Sequence, residues 1–144
     1  MGVGDKMTAQ TAGYSGTSLA KKLGIKDGFN VRLINQPDYY FGLFTDLPHD
    51  LNITAEISPP KDFIHFFTKN QEEYLGILPE LKNEIKPNGL IWVSWPKKAS
   101  KVVTDMTEEL IRNYALKIGL VDIKVCAVDE IWSGLKLVIP VKDR

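Results

Sequence analysis

The sequence predicts an α/β domain with a mostly parallel sheet, helices on both faces and an antiparallel hairpin at the C-terminal end. Three observations predict it. Apolar runs rich in aromatic and β-branched residues alternate with segments of helical spacing between residues 14 and 118, an order that produces parallel strands joined by right-handed crossovers. The run at 63–67 is apolar without alternation, as is the one at 90–95, and such strands are covered on both faces. The last two runs, 123–128 and 135–141, are separated only by residues 129–134. That gap is too short for a crossover, so the two pair as an antiparallel hairpin.

Each element has a local reason. Residues 1–12 read as a polar arm and 13–144 as one domain. A short helix lies within 14–24, capped by Thr17 or Ser18 and ended by Gly24. The first strand spans 31–35, a short helix follows Pro37 over 38–44, and a peripheral strand covers 52–57 until Pro59 and Pro60 end it. Asn70 and Glu73 form a capping-box-like start, and Tyr74, Leu75, Leu78, Leu81 and Ile85 repeat at helical spacing. Pro79 falls inside that repeat and predicts a kink or two abutting helices. Pro87, Asn88 and Gly89 close the segment. Asp105 and Glu108 open the last helix, whose core face is Leu110, Ile111, Tyr114, Ala115 and Ile118, and Gly119 ends it.

Composition bounds the function. The chain has 144 residues, enough for one core, with 18 basic and 18 acidic residues, so no global positive field attracts nucleic acid or an anionic membrane. Nucleic acid is therefore not an expected partner. No apolar run approaches the roughly 18 residues of a membrane span, and no secretory signal is visible. Cys126 is the single cysteine, which excludes an internal disulfide and suits a reducing compartment. The expectation is a cytoplasmic protein of bacterial style.

Two resemblances follow from particular strings. Residues 24–31 (GIKDGFNV) resemble the approach to strand one of class I S-adenosylmethionine-dependent methyltransferases. Residues 81–93 (LKNEIKPNGLIWV) resemble the helix–turn–strand that precedes their substrate loop. The resemblance runs over about residues 20–141 and implies a trimmed Rossmann-like sheet, with one strand–helix unit missing between Ile57 and Asp62. Three further strings, 12–16 (AGYSG), 95–101 (WPKKASK) and 126–138 (CAVDEIWSGLKLV), resemble an uncharacterised bacterial family of small stand-alone proteins. That resemblance implies the fold and no established activity.

The methyltransferase resemblance implies glycines after strand one, where the backbone approaches the cofactor and aims N–H groups at it. Here strand one runs into Asn35-Gln36-Pro37-Asp38-Tyr39-Tyr40, with no glycine. Pro37 lacks an N–H, and two tyrosines crowd the approach. The only acid available for the ribose after strand two is Glu56. No cofactor is therefore predicted, and S-adenosylmethionine enters only if the chain is a divergent methyltransferase.

Ligands of open α/β sheets sit beyond the carboxyl ends of the strands, here at 35–38, 68–70 and 94–104. Trp95 leads into Lys97, Lys98 and Lys101 with Ser100 and Thr104 nearby. Three ammonium groups and two hydroxyls suit a phosphate or carboxylate. The plainer reading is a solvated lysine loop with a core tryptophan. Asp129, Glu130, Trp132 and Ser133 fall in the hairpin loop, either as a polar turn or as the acidic half of a joint site. Asn35 and Tyr14 complete the candidates. Ser94 and Lys97 match a Ser–Lys spacing only formally, because Ser94 lies in a strand and Pro96 intervenes. His49 and His65 lack metal-ligand spacing, His65 reading as core and His49 as loop, while Cys126 reads as buried filler.

Three functions fit these residues. The first is a non-catalytic methyltransferase-like module holding an anionic small molecule or an acidic protein segment. The second is a divergent methyltransferase. The third is an adaptor whose Tyr39-Tyr40-Phe41 and tryptophan surfaces meet a partner protein.

Overall fold

In the computed structural model, which describes residues 16–144, Ser18 caps α1 (Leu19–Leu23): its Oγ accepts from the Lys21 N–H at 3.4 Å. The expected arm at 1–12 and the candidate Tyr14 lie outside the described residues. Gly24 ends α1 with φ +79°, a left-handed conformation that costs glycine nothing.

Six strands form one sheet: β1 (Asn30–Ile34), β2 (Asn52–Ile53), β3 (Lys61–Phe67), β4 (Ile85–Pro96), β5 (Val121–Ala127) and β6 (Trp132–Val138). Their order is β2-β1-β3-β4-β6-β5. The first four are mutually parallel, and β6 runs antiparallel to both its neighbours. This is the sheet the sequence predicts, and it carries helices on both faces. On one side α2 (Gln71–Glu84) and α3 (Glu108–Lys117) pack Tyr74, Leu78, Leu81, Ile111 and Ala115 onto Ile64, Phe66, Ile91, Val93, Leu135 and Leu137. On the other, Ala20 and Leu23 of α1 cover Val31, Phe63, Trp92 and Val138, and the Trp92 indole N–H donates to the Leu23 carbonyl at 2.8 Å. Every residue of 63–67 and 90–95 is buried, as strands covered on both faces require.

Several boundaries differ from the sequence expectation for identifiable reasons. Pro79 does not divide α2, which is one helix. A proline there leaves the Leu75 carbonyl without its intrahelical N–H, and the Tyr114 hydroxyl of α3 donates to that carbonyl at 2.9 Å. Thr107, not Asp105, caps α3: its Oγ1 accepts from the Leu110 N–H at 3.1 Å, while the Asp105 carboxylate accepts from the Gln71 N–H at 2.8 Å. Pro87, Asn88 and Gly89 belong to β4, where the register steps from Lys61–Ile85 to Phe63–Leu90. The hairpin strands begin two and three residues earlier than expected, so Trp132 and Ser133 lie in β6 opposite Pro96 and Trp95 rather than in the loop.

The expected helix at 38–44 is a 3₁₀ turn, Tyr40–Leu43. The strand expected at 52–57 keeps only two residues, and 54–60 returns the chain to β3 with no helix between. Lys61 makes this possible. Its side chain is fully buried, and its ammonium donates to the carbonyls of Glu56 (2.6 Å), Ile57 (3.4 Å) and Pro59 (2.6 Å). The carbonyls that a longer crossover would pair within a helix are instead gathered on one cation, which satisfies both sides of the contact.

The account of Pro79 makes a prediction. Tyr114→Phe costs about 1 kcal/mol in the native protein, the usual worth of one hydrogen bond. In a Pro79→Ala background it costs distinctly less, because the Leu75 carbonyl regains a helical partner. Urea unfolding of the four proteins in a double-mutant cycle measures the difference.

Candidate functional site

Strand order reverses at β1: the chain continues to β2 on one side, while β3 and β4 lie on the other. Crevices beyond such reversals are where open α/β sheets hold ligands. A cleft of about 470 Å³ opens there, lined by Asn35 and Pro37 after β1, Phe67, Thr68, Lys69 and Asn70 at the end of β3, Glu73 of α2 and Trp132 of β6.

Its polar side is an ordered network. Asn35 adopts φ +57°, the left-handed turn that asparagine tolerates. Its side-chain NH₂ donates to the Phe67 carbonyl at 3.0 Å and to Glu73 Oε2 at 3.2 Å. The Thr68 hydroxyl donates to Glu73 Oε1 at 2.6 Å. Asn70 caps α2 by accepting from the Glu73 N–H at 2.9 Å, but its own N–H donates to Thr68 Oγ1 at 3.2 Å and not to the glutamate. The Glu73 carboxylate therefore leaves its helix and faces the cleft.

The apolar side rests on a buried chain. The Tyr40 hydroxyl lies 2.9 Å from His65 Nδ1, and His65 Nε2 lies 2.8 Å from Ser94 Oγ. All three residues are buried. A neutral imidazole donates through one nitrogen and accepts through the other, so both ring nitrogens have a hydroxyl partner. His65 stacks on Phe67 with ring centres 4.2 Å apart, and Phe67 meets Trp132 edge-on at 5.0 Å. Tyr39 reaches Asp129 and Trp132 on the adjoining hairpin. Desolvation, followed by the Asp129 carboxylate, pushes its phenol up to about 12.

The candidate residues of the lysine loop do not converge on one point. Trp95, Lys98 and Thr104 line a second cavity of about 380 Å³ with Pro96, Asp105, Met106 and Thr107. The Thr104 hydroxyl is engaged by the Lys69 carbonyl at 2.7 Å. Ser100 is spent on its own turn, donating to the Lys97 carbonyl at 2.6 Å and accepting from the Val102 N–H at 3.2 Å. Lys97 stands with Lys22 and Lys124 near Cys126, whose thiol burial nonetheless pushes up. Lys101 is exposed with φ +62°. Asp129 accepts from the Ile131 and Trp132 N–H groups at 2.8 and 2.7 Å and so closes the hairpin turn. Glu130 is exposed. Among the described residues, no ion pair joins Asp129 or Glu130 to Lys97, Lys98 or Lys101.

Ser94 is buried and bound to His65, so it is no exposed nucleophile. Of the aromatic surface, Tyr39 and Phe41 are exposed, whereas Tyr40, Trp92, Trp95 and Trp132 are buried. Among the described residues no group of three metal-ligating side chains occurs, and no helix is long and apolar enough to cross a membrane. Glu73 escaped the sequence reading because a cap position explains a glutamate there. The Tyr40–His65–Ser94 chain escaped because its members are 25 and 29 residues apart.

Solved structures match this fold. A S-adenosylmethionine-dependent methyltransferase from Aquifex aeolicus superposes with a TM-score of 0.59 at 18% identity, covering 84% of this chain and 88% of that one. The fold is that of the class I methyltransferases. A putative type 11 methyltransferase from Sulfolobus solfataricus (TM-score 0.55, 15% identity, 84% and 89% covered) is also similar, as is a ribosomal protein L11 methylase from Lactobacillus delbrueckii subsp. bulgaricus (0.55, 11%, 84% and 74%). No protein-family model and no curated protein matches the sequence.

The turn after β1 lacks the glycines with which this fold ordinarily approaches its cofactor. Binding it after β1 needs free backbone N–H groups. Pro37 has none, and those of Tyr40, Gly42 and Phe44 are taken by the carbonyls of Pro37, Tyr39 and Phe41, while those of Gln36, Asp38 and Tyr39 meet no backbone carbonyl. Tyr40 fills the space beneath the turn. Glu56, the acid after β2, is exposed, and its carbonyl is held by Lys61.

Burial also sets a pH dependence. The His65 imidazole is held neutral, its pKa lowered by desolvation from 6.5 to about 3. Between those values the unfolded chain binds the proton and the folded chain does not. Stability is therefore full above the upper value and falls as pH drops through the window, by up to about 1.4 kcal/mol per pH unit from this residue. Urea midpoints at pH 7 and pH 5 check the slope, and His65→Gln flattens it.

Proposed function

We propose that this methyltransferase-fold protein is a binding module that holds a small molecule in the cleft between β1, β3 and α2 without transferring a methyl group. One observation carries the reading: a cleft of ligand size lies at the reversal of strand order, while the turn beside it holds Pro37 and two tyrosines where a nucleoside cofactor is ordinarily met by glycine. The cleft replaces the lysine loop as the centre of the site, because Lys97, Lys98 and Lys101 do not point into one cavity.

A second reading, a divergent S-adenosylmethionine-dependent methyltransferase, is favoured by the solved structures, whose enzymes share this fold. Under it the cofactor enters by contacts other than the glycine loop. Titration calorimetry separates the two. The binding-module reading expects no saturable heat from S-adenosylmethionine or S-adenosylhomocysteine up to about 1 mM, the upper end of ordinary substrate affinities. Saturable binding in the micromolar range that Glu73→Gln or Asn35→Ala weakens overturns it in favour of the enzyme.

A further inference from the structure

We infer that the cleft selects a small organic cation, an ammonium group on an apolar or aromatic body, with Glu73 as its counter-ion. The inference rests on the reading of the cleft as a ligand site and names the chemistry of its occupant.

Three observations carry it. First, the Glu73 carboxylate is held in place but not neutralised. Thr68 and Asn35 each give it one hydrogen bond, at 2.6 and 3.2 Å, and both donors are uncharged. Among the described residues no lysine, arginine or histidine forms an ion pair with it. Lys69 lines the same cleft but is exposed and makes no such contact. A carboxylate has about four acceptor positions, and two remain open.

Second, its orientation serves no helix-capping purpose. The Asn70 N–H, which a glutamate at this position of a capping box would accept, goes to Thr68 Oγ1 instead. The carboxylate is turned across the cleft toward β1.

Third, the facing wall is apolar and aromatic. Pro37 lines it together with Phe67, which is fully buried, stacked on His65 and edge-on to Trp132, itself 8% exposed. An apolar wall beside a carboxylate suits a cation on an apolar body, the charge meeting Glu73 and the body meeting the wall. A neutral or anionic ligand of the same shape would leave a partly desolvated carboxylate unpaired, which costs affinity and gives the site its discrimination.

The test uses four probes on the full chain: phenethylamine and tryptamine, and their matched carboxylates phenylacetate and indole-3-acetate. Thermal shift and two-dimensional NMR are read together. The two amines are expected to raise the melting temperature and to move the amide signals of Asn35, Thr68, Glu73 and Trp132, while the carboxylates do neither. Glu73→Gln, which keeps the size of the side chain, is expected to weaken the amines at least tenfold. The comparison of amine with carboxylate on wild-type protein stands even if that variant unfolds. Binding of the carboxylates in the cleft equal to or tighter than that of the amines overturns the cation and leaves the cleft as a site. Equal amine binding by wild type and Glu73→Gln does the same. Failure of all four to move any cleft signal at millimolar concentration overturns both the cation and the cleft.

Discussion

Tyr40 lies in the apolar interior because its hydroxyl meets His65, and His65 because its other nitrogen meets Ser94. Removing any one of the three strands a polar group where water does not reach, at a cost of about 1–3 kcal/mol. Much of the rest follows from that constraint. Tyr40 opens the 3₁₀ turn at Tyr40–Leu43, around which the N–H groups of Tyr40, Gly42 and Phe44 donate to the carbonyls of Pro37, Tyr39 and Phe41. His65 stacks on Phe67, Phe67 abuts Trp132, and these rings become the apolar wall of the cleft. The same packing therefore shapes both the turn after β1 and the apolar wall of the cleft.

The sheet and the loops at its strand ends are physically separable. The sheet is stabilised by the burial of Phe63, Ile64, Phe66, Ile91, Trp92 and Val93 between helices, which does not depend on what binds at the strand ends. Function on such a scaffold is set by a few side chains on its loops. In the cleft, Asn35, Thr68 and Glu73 come from three separate stretches of chain and are tied together by hydrogen bonds. The cleft is thus organised before anything enters it, which lowers the ordering cost of binding.

Much of this was legible in the sequence. Uninterrupted apolar strands, helical repeats and a short final gap specify the sheet, and Ser18, Asn70 and Gly24 mark helix ends by chemistry local to each. The glycine-free turn after β1 was also readable, because glycine is needed there for a reason internal to the backbone. What could not be read depends on partners distant in the chain. Nothing near Pro79 announces that Tyr114 will satisfy Leu75, and nothing near Lys61 announces the three carbonyls around it. The cleft shows the same limit: the segments at 35–38 and 68–70 are placed by topology, whereas Glu73 becomes a cleft residue only through contacts to β1 and β3. The lysine loop drew attention because charge is conspicuous along a sequence, but backbone geometry sends Lys97 and Lys98 to different surroundings.

The bond from Tyr114 to the Leu75 carbonyl constrains the order in which this sequence can drift. A chain that exchanges Pro79 for an ordinary residue first keeps every carbonyl of α2 paired and leaves position 114 free to change afterwards. A chain that loses the phenol first leaves an exposed carbonyl in the middle of a helix to water alone. Sequences descended from a common ancestor of this protein should then include some with the tyrosine and no proline, and few with the proline and no hydroxyl opposite it.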